Sequence, residues 1–119
     1  MAISLLAISV DGSDIARLAQ FWADVLGQPV NPGATGSSAA IDTGNGLRLM
    51  FHQVPEGKIV KNRVHPDLGS SDYDLETERL IKLGAVQLNE VEQGGSRWRT
   101  FADPEGNEFD LVAITPQAD

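Results

Sequence analysis

The sequence contains no cysteine. That absence excludes disulfide bridges, thiolate nucleophiles, and zinc or iron–sulfur sites held by cysteine. It suits a protein of the reducing cytoplasm, which is the location we expect. No apolar run reaches the roughly 20 residues that a membrane-spanning helix needs, so no membrane partner is expected. The apolar residues 1–10 lack a basic leader, and they are interpreted as a buried strand instead of a signal peptide.

Basic residues are scarce as well. Nine Lys and Arg stand against 17 Asp and Glu, which gives a formal net charge of −8. Phosphate backbones repel such a surface, so nucleic acid is not an expected partner. The charge could favour a cationic ligand, or it could simply keep the protein dispersed in water. The length of 119 residues and the 41% apolar content are typical of one globular domain with its own core.

The order of predicted elements is the same in the two halves of the chain. Apolar residues at helical spacing predict helices over residues 15–26 and 75–83, each preceded by a Ser-Asp pair and ended by a Leu-Gly pair. Shorter apolar or alternating stretches predict strands over residues 5–10, 28–30, 38–42, 47–53, 63–68, 86–91, 97–102 and 108–114. Each half therefore has the order β-α-β-β-β.

Three landmarks recur in the same order and support a duplication. Asp14 recurs as Asp72, the Leu-Gly pair at 26–27 recurs at 83–84, and the Gly-Asn pair at 44–45 recurs at 106–107. Each half is too small to bury both faces of a sheet alone. We therefore predict a single α+β domain over residues 1–119, built of two tandem β-α-β-β-β modules, 1–55 and 60–119, with residues 54–58 as the connector.

Alternation along the predicted strands assigns one mixed, partly polar face to each module. Such a face makes a poor core but a plausible cavity lining. We expect both faces to form one shared cavity that binds a small molecule. The expected ligand-binding residues are Arg48, Met50, His52, Arg63, Trp98 and Asp110, with His65 as the candidate catalytic residue.

Several phrases of the sequence resemble those of a known superfamily. Residues 21–27 (Phe-Trp-Ala-Asp-Val-Leu-Gly) resemble its first helix, and residues 103–107 (Asp-Pro-Glu-Gly-Asn) resemble the turn before its last strand. Residues 61–65 and 83–85 resemble the second-half strand and helix end of its glyoxalase-like branch. This is the vicinal oxygen chelate superfamily, which includes glyoxalase I, bleomycin-resistance proteins and extradiol dioxygenases. The resemblance covers the whole chain and implies the duplicated fold, a small-molecule ligand and a homodimer.

The resemblance also implies where a metal would be held. Carried over to this sequence, the family's ligand positions fall on His65 and Asp110 in the second module and on Ala7 and Arg48 in the first. Ala7 cannot ligate, and an arginine competes with a cation for the carboxylate. We therefore expect no resident cofactor. A divalent metal, if bound, would use His65, Asp110 and His52.

Four functions stay open. The first is a metal-independent binding protein of the sequestration or antibiotic-resistance type. The second is a metal-dependent lyase or dioxygenase. The third is a cofactor-free enzyme in which His65 is the base and Arg48 or Arg63 stabilises an oxyanion. The fourth is a module that mainly dimerises. His65 and Asp110 also have structural interpretations, as a hydrogen-bonded cavity histidine and as the ion-pair partner of Arg48 or Arg63.

Overall fold

The computed structural model of the protein describes residues 2–115, which form two helices and seven strands. In chain order the elements are β1 (Ala7–Gly12), α1 (Ile15–Leu26), β2 (Ser38–Asp42), β3 (Arg48–Gln53), β4 (Asp67–Ser70), α2 (Tyr73–Leu83), β5 (Val86–Gln93), β6 (Ser96–Ala102) and β7 (Glu108–Ala113). The chain divides into two compact units between Lys58 and Ile59. We call them the first and the second unit. Within the described residues, neither helix has the length and apolar character needed to span a bilayer.

The first unit is a three-stranded sheet covered by α1. Its strand order is β1-β3-β2, with β1 parallel and β2 antiparallel to β3. Asp14 caps α1 by accepting a hydrogen bond from the Arg17 backbone N–H at 3.3 Å, and Gly27 ends it at φ 65°, a conformation that glycine adopts at little cost. The helix thus has the bounds that its spacing predicts. The core of the first unit is formed by Ile15, Leu18 and Trp22 of α1 with Ile41, Leu49 and Phe51 of the sheet.

One predicted strand of the first module is wrong. Residues 28–30 form no strand in the structure. Pro29 lies at their centre, and proline has no N–H to donate to a ladder. Directly after this stretch, the Asn31 N–H donates to the Ala40 carbonyl of β2 at 2.8 Å.

The second unit is a four-stranded sheet covered by α2. Its order is β4-β7-β6-β5, with β4 parallel to β7 and the other neighbours antiparallel. A two-residue turn joins β5 to β6, and its Gly94 and Gly95 have φ of 61° and 81°. Positive φ at both central residues is what the favoured hairpin turn requires. The core of this unit is formed by Tyr73 and Leu80 of α2 with Phe101, Phe109 and Leu111 of the sheet.

The first strand of the second unit begins later than predicted. The sequence predicts a strand over residues 63–68, whereas β4 covers Asp67–Ser70. Pro66 precedes it and interrupts the ladder because it has no N–H. His65 therefore lies in an irregular segment directly before β4. Helix α2 begins at Tyr73, two residues earlier than predicted.

Candidate functional site

A cleft lies on the face of the second sheet that α2 does not cover. Phe109 and Leu111 of β7 point to the core, so Glu108, Asp110 and Val112 point to the other face. The cleft has a volume of about 450 Å³, within the range of small-molecule sites. Its lining residues are Lys61, His65, Asp67, Asn89, Val91, Ser96, Trp98, Thr100, Glu108, Asp110 and Val112.

Strand register arranges part of this lining as two neighbouring rows. Trp98 lies opposite Val91 on one side and opposite Val112 on the other, which makes an apolar row across β5, β6 and β7. Two residues further along β6, a polar row begins. Thr100 lies opposite Asn89 and Asp110, and Asp110 lies opposite Asp67 on β4. The cleft is therefore amphipathic, with its rows about 7 Å apart.

His65 joins the polar row through its side chain. Its Nδ1 atom lies 3.0 Å from Asp110 Oδ2 and 3.1 Å from Asp67 Oδ1. Ionised carboxylates accept but do not donate, so at neutral pH the proton belongs on Nδ1. In the neutral imidazole with this tautomer, Nε2 keeps a lone pair that can accept a hydrogen bond or a proton.

His65, Asp67, Thr100 and Asp110 form a polar cluster, and Asp110 is its most enclosed acid. Its side chain is 9% exposed, and Thr100 Oγ1 donates to its Oδ1 at 2.5 Å. Burial raises the pKa of Asp110 because it removes water from the charged form, and the neighbouring carboxyl of Asp67 raises it further. The Thr100 hydrogen bond and the charge of His65 act in the opposite direction. The cluster therefore gains stability from a proton, a cation or a hydrogen-bond donor placed beside it.

The first unit has a concave region of its own, with a volume of about 510 Å³. Arg48 and Met50 are both among its lining residues. Ala7 lies opposite Arg48 in the register of β1 and β3, and its side chain offers no ligand atom. Arg48 Nε pairs with Asp42 Oδ1 at 2.8 Å, so this arginine has a partner within its own unit.

The structure brings three of the predicted site residues together in the second unit: His65, Trp98 and Asp110. Arg63 is exposed and is not among the described residues that line this cleft. His52 is half-buried on β3, where it lies opposite Asp11 and Ser38. Arg48 and Met50 belong to the concave region of the first unit.

Sequence reasoning missed two residues of the cluster, Asp67 and Thr100. Alternation already puts Asp67 on the same face as His65, and it puts Thr100 on the same face as Trp98. Asp67 is two residues from His65, and Thr100 is two residues from Trp98 on a predicted strand. The expected site did not include them because the ligand positions that the resemblance implies fall on other residues.

The cluster contains the donor types of a metal site. One ligand atom each from His65, Asp67 and Asp110 lies within 4.8 Å of the others. An imidazole nitrogen with carboxylate oxygens suits zinc, iron or manganese. The chemical types of these three ligand atoms thus suit a divalent cation. The positions that the resemblance implies in the first module, Ala7 and Arg48, offer no ligand atom.

Comparison with known proteins identifies the family. A family model described as a glyoxalase-like domain matches residues 7–112. No match was found among curated proteins.

Solved structures of the same fold come from proteins with different functions. A mutant of the fosfomycin resistance protein FosX from Listeria monocytogenes, solved with Mn(II) and 1S,2S-dihydroxypropylphosphonic acid, is 18% identical. The match covers 97% of this chain and 93% of that one, with a TM-score of 0.81. A glyoxalase/bleomycin resistance protein/dioxygenase family enzyme from Burkholderia phytofirmans PsJN is 18% identical, with coverage of 94% and 99% and a TM-score of 0.78. The oxidase ChaP-H2 is 22% identical, with coverage of 99% and 98% and a TM-score of 0.72. At these identities the likeness shows the fold alone.

Proposed function

The chain belongs to the glyoxalase-like domain family, and hence to the vicinal oxygen chelate superfamily, and from that premise we propose that it binds a small organic molecule in the cleft of the second unit without a resident metal. The protein is proposed to be of the sequestration or resistance type. FosX, a fosfomycin resistance protein, is one of its structural neighbours.

The observation that carries this proposal is the pair of rows in the cleft. Trp98, Val91 and Val112 offer a half-buried apolar surface to the body of a ligand. The polar row and His65 Nε2 offer acceptors beside that surface, which would orient a donor or cationic group of the same molecule. An apolar wall with a few convergent polar groups is the usual form of a small-molecule site.

Metal independence is supported by the hydrogen bonds that the residues of the cluster make with one another. The Nδ1–H of His65 is shared by two carboxylates, and Thr100 donates to one of them. A cation that bound through Nδ1 and the same carboxylate oxygens would have to displace these hydrogen bonds. The same arrangement leaves Nε2 as the atom that would accept a proton from a bound molecule, which is the role His65 would have in a cofactor-free enzyme.

A thermal-shift screen with a small-molecule library tests the binding proposal. A ligand at 100 times its Kd should stabilise the protein by about 2.7 kcal/mol. For each hit we expect Trp98→Ala and Asp110→Asn to weaken binding by at least about tenfold, a loss of about 1.4 kcal/mol. Asp42→Asn, in the concave region of the first unit, is the matched control and should leave the affinity unchanged. Hits that bind both cleft variants as tightly as the wild type would refute the proposed site.

Tryptophan fluorescence adds an independent measurement. The sequence has two tryptophans, and Trp22 is 2% exposed within the first unit. A fluorescence change on binding should therefore disappear in Trp98→Phe. A change that persists in this variant would place the ligand elsewhere.

A metal-dependent activity is the second candidate, and the three donor atoms within 4.8 Å favour it. A bound divalent cation would polarise an oxygen of the substrate or activate a water, and His65, Asp67 and Asp110 would hold it. Elemental analysis of the purified protein separates the two candidates. Substoichiometric metal is expected if the protein is the metal-independent binding protein. One tightly held ion per chain, lost in Asp67→Asn, would establish the second.

The proposed location is the cytoplasm. The support is chemical, because a chain without cysteine gains nothing from an oxidising compartment. Fractionation of cells that produce the protein at its natural level tests this, and recovery outside the cytoplasmic fraction would contradict it.

A further inference from the structure

The residues that hold His65 in place form a separate feature of the second unit. His65 lies in an irregular segment, residues 61–66, and not on a strand. Pro66 follows it and offers no N–H, so the regular ladder between β4 and β7 cannot continue to His65. Yet the bridge from Nδ1 to two carboxylates requires the ring to stay within a few tenths of an ångström of one position. Strand pairing therefore does not fix the part of the segment that precedes His65.

Asn62 and Glu108 supply that attachment. The backbone N–H of Asn62 donates to Glu108 Oε2 at 3.2 Å, and its Nδ2 donates to the Glu108 carbonyl at 3.3 Å. The Glu108 side chain is 11% exposed, and its other oxygen lies 3.4 Å from Lys61 Nζ. These bonds fasten the start of the segment to the first residue of β7. We call Asn62 and Glu108 the clamp.

The clamp extends to the residue before His65. Asn62 Nδ2 also donates to the Val64 carbonyl at 3.3 Å. On the other side of His65, the Pro66 carbonyl accepts from the Asp110 backbone N–H at 2.9 Å. The backbone is thus held on both sides of the histidine. Glu108 and Asp110 are two residues apart on β7 and share a face, so one strand holds both the segment and the acceptor of the imidazole.

We propose that Asn62 and Glu108 are positioning residues for His65, and that they fix its ring so that Nδ1–H bonds to Asp67 and Asp110 while Nε2 faces the cleft. This inference rests on the role that the proposed function gives to His65. Neither residue needs to touch the ligand. Without the clamp, the segment before His65 would sample several backbone conformations, and the imidazole would lose its fixed tautomer.

Nitrogen NMR of the imidazole tests the clamp in the metal-free protein near pH 8, with no ligand present. The sequence has two histidines, so His52→Gln leaves the His65 signals alone in the spectrum. In this background the Nδ1-protonated tautomer should predominate. Asn62→Ala and Glu108→Ala should shift His65 to the mixture of tautomers of a mobile imidazole. Glu108→Gln keeps an acceptor oxygen for the Asn62 N–H, so it should retain the original tautomer.

Asn89→Ala is the matched control, because Asn89 lines the same cleft from β5. It should leave the tautomer unchanged. If Asn62→Ala remains folded and keeps the Nδ1-protonated form, the clamp is refuted while the proposed function stands. If the background protein itself lacks a predominant Nδ1-protonated tautomer, the proposed role of His65 fails, and the inference fails with it. A loss of tautomer preference in Asn89→Ala equal to that in Asn62→Ala would also overturn the clamp, since the effect would then not be specific.

Discussion

At the scale of the residue, Asp110 shows how an environment decides the role of a side chain. The sequence left open whether an arginine or a ligand would pair with it. In the structure its side-chain partners are Thr100 and His65. Burial is the largest influence on its carboxyl and raises the pKa of Asp110 above the usual value of 3.8. The charged form is therefore kept at some cost in stability, as at many functional sites.

Asp110→Asn tests this interpretation through its pH dependence. Because the folded-state pKa of Asp110 lies above the unfolded value, its contribution to stability is complete below pH 3.8 and is lost as pH rises through the folded pKa. Asparagine imitates the protonated form and does not titrate. At pH 7 the variant should therefore melt no lower than the wild type, and up to a few degrees higher.

The difference in melting temperature between Asp110→Asn and the wild type should disappear toward pH 3, where the wild-type carboxyl is protonated. Melting curves of the two proteins across this range give the measurement. Asp67→Asn, at an exposed neighbouring carboxyl, is the control and should show a smaller change. A variant that melts several degrees lower at pH 7 would mean that a buried cation depends on ionised Asp110.

At the scale of the element, α2 is joined to β6 by charge as well as by apolar packing. The guanidinium carbons of Arg97 and Arg99 lie 4.6 and 4.3 Å from the centre of the Tyr73 ring. The Tyr73 hydroxyl donates to Glu90 Oε2 at 3.2 Å, and Arg99 donates to Thr77 Oγ1 at 2.7 Å. A cation over an aromatic face is attracted to it, so these contacts attach the helix to β6, and Glu90 adds a contact from the edge strand β5.

The tyrosine titration measures this attachment. Burial, followed by the hydrogen bond and charge of Glu90, raises the pKa of Tyr73 to about 12. Tyr73 is the only tyrosine in the sequence, so tyrosinate absorbance reports on it alone. The native protein should titrate near 12 and the protein in denaturant near 10. The stability that Tyr73 provides is complete below pH 10 and is lost as pH rises toward 12.

Variants of the neighbouring acids provide the comparison. Glu90→Gln should lower the pKa of Tyr73, since the negative charge beside the hydroxyl is removed. Glu92→Gln, whose carboxylate pairs with Arg97 at 3.6 Å, is the matched control and should change it less. A native midpoint near 10 would show that the ring is open to water and that the contacts do not persist in solution.

At the scale of the whole molecule, large apolar side chains are exposed before the first strand of each unit. Leu5 and Leu6 are 75% and 82% exposed, and Ile59, Val60 and Val64 are 91%, 74% and 79% exposed. Contiguous exposed apolar surface marks an interaction site more often than single exposed residues do. These stretches are candidate contacts in the homodimer that the superfamily resemblance implies.

Light scattering at micromolar concentration tests the dimer. We expect the mass of two chains for the wild type. The double substitution Leu6→Glu and Ile59→Glu should shift the mass toward one chain, because a buried charge opposes association. Leu75→Glu, at an apolar side chain that is 63% exposed on α2, is the control and should leave the mass unchanged. A wild-type monomer would contradict the prediction. The cavity shared by both modules likewise stays a prediction.

The sequence by itself determined the elements with strong local signals. The spacing of apolar residues, the Ser-Asp pairs and the Leu-Gly pairs predicted both helices, because such signals act within a few residues. Asp14 caps α1, whereas the Asp72 side chain makes no cap hydrogen bond at α2.

Alternation along the predicted strands also puts Leu49, Phe51, Phe109 and Leu111 on the core side, and they are buried. It puts Leu6 and Val64 on that side as well, and these two are exposed.

Proline marks two of the strand errors, since Pro29 and Pro66 remove donors that the apolar pattern does not reveal. The first strand is also misplaced: the sequence predicts it over residues 5–10 as a buried strand, whereas β1 covers Ala7–Gly12 and Leu5 and Leu6 are exposed.

Only the tertiary structure decided which polar side chains meet. The parallel pairing of β4 with β7 puts Asp67 opposite Asp110, and the irregular segment before β4 lets His65 bridge the two carboxylates. Residues 43 positions apart in the chain, 67 and 110, carry no local sign that they will pair, because register depends on the packing of whole strands. The attachment of Asn62 to Glu108 is hidden from the sequence for the same reason.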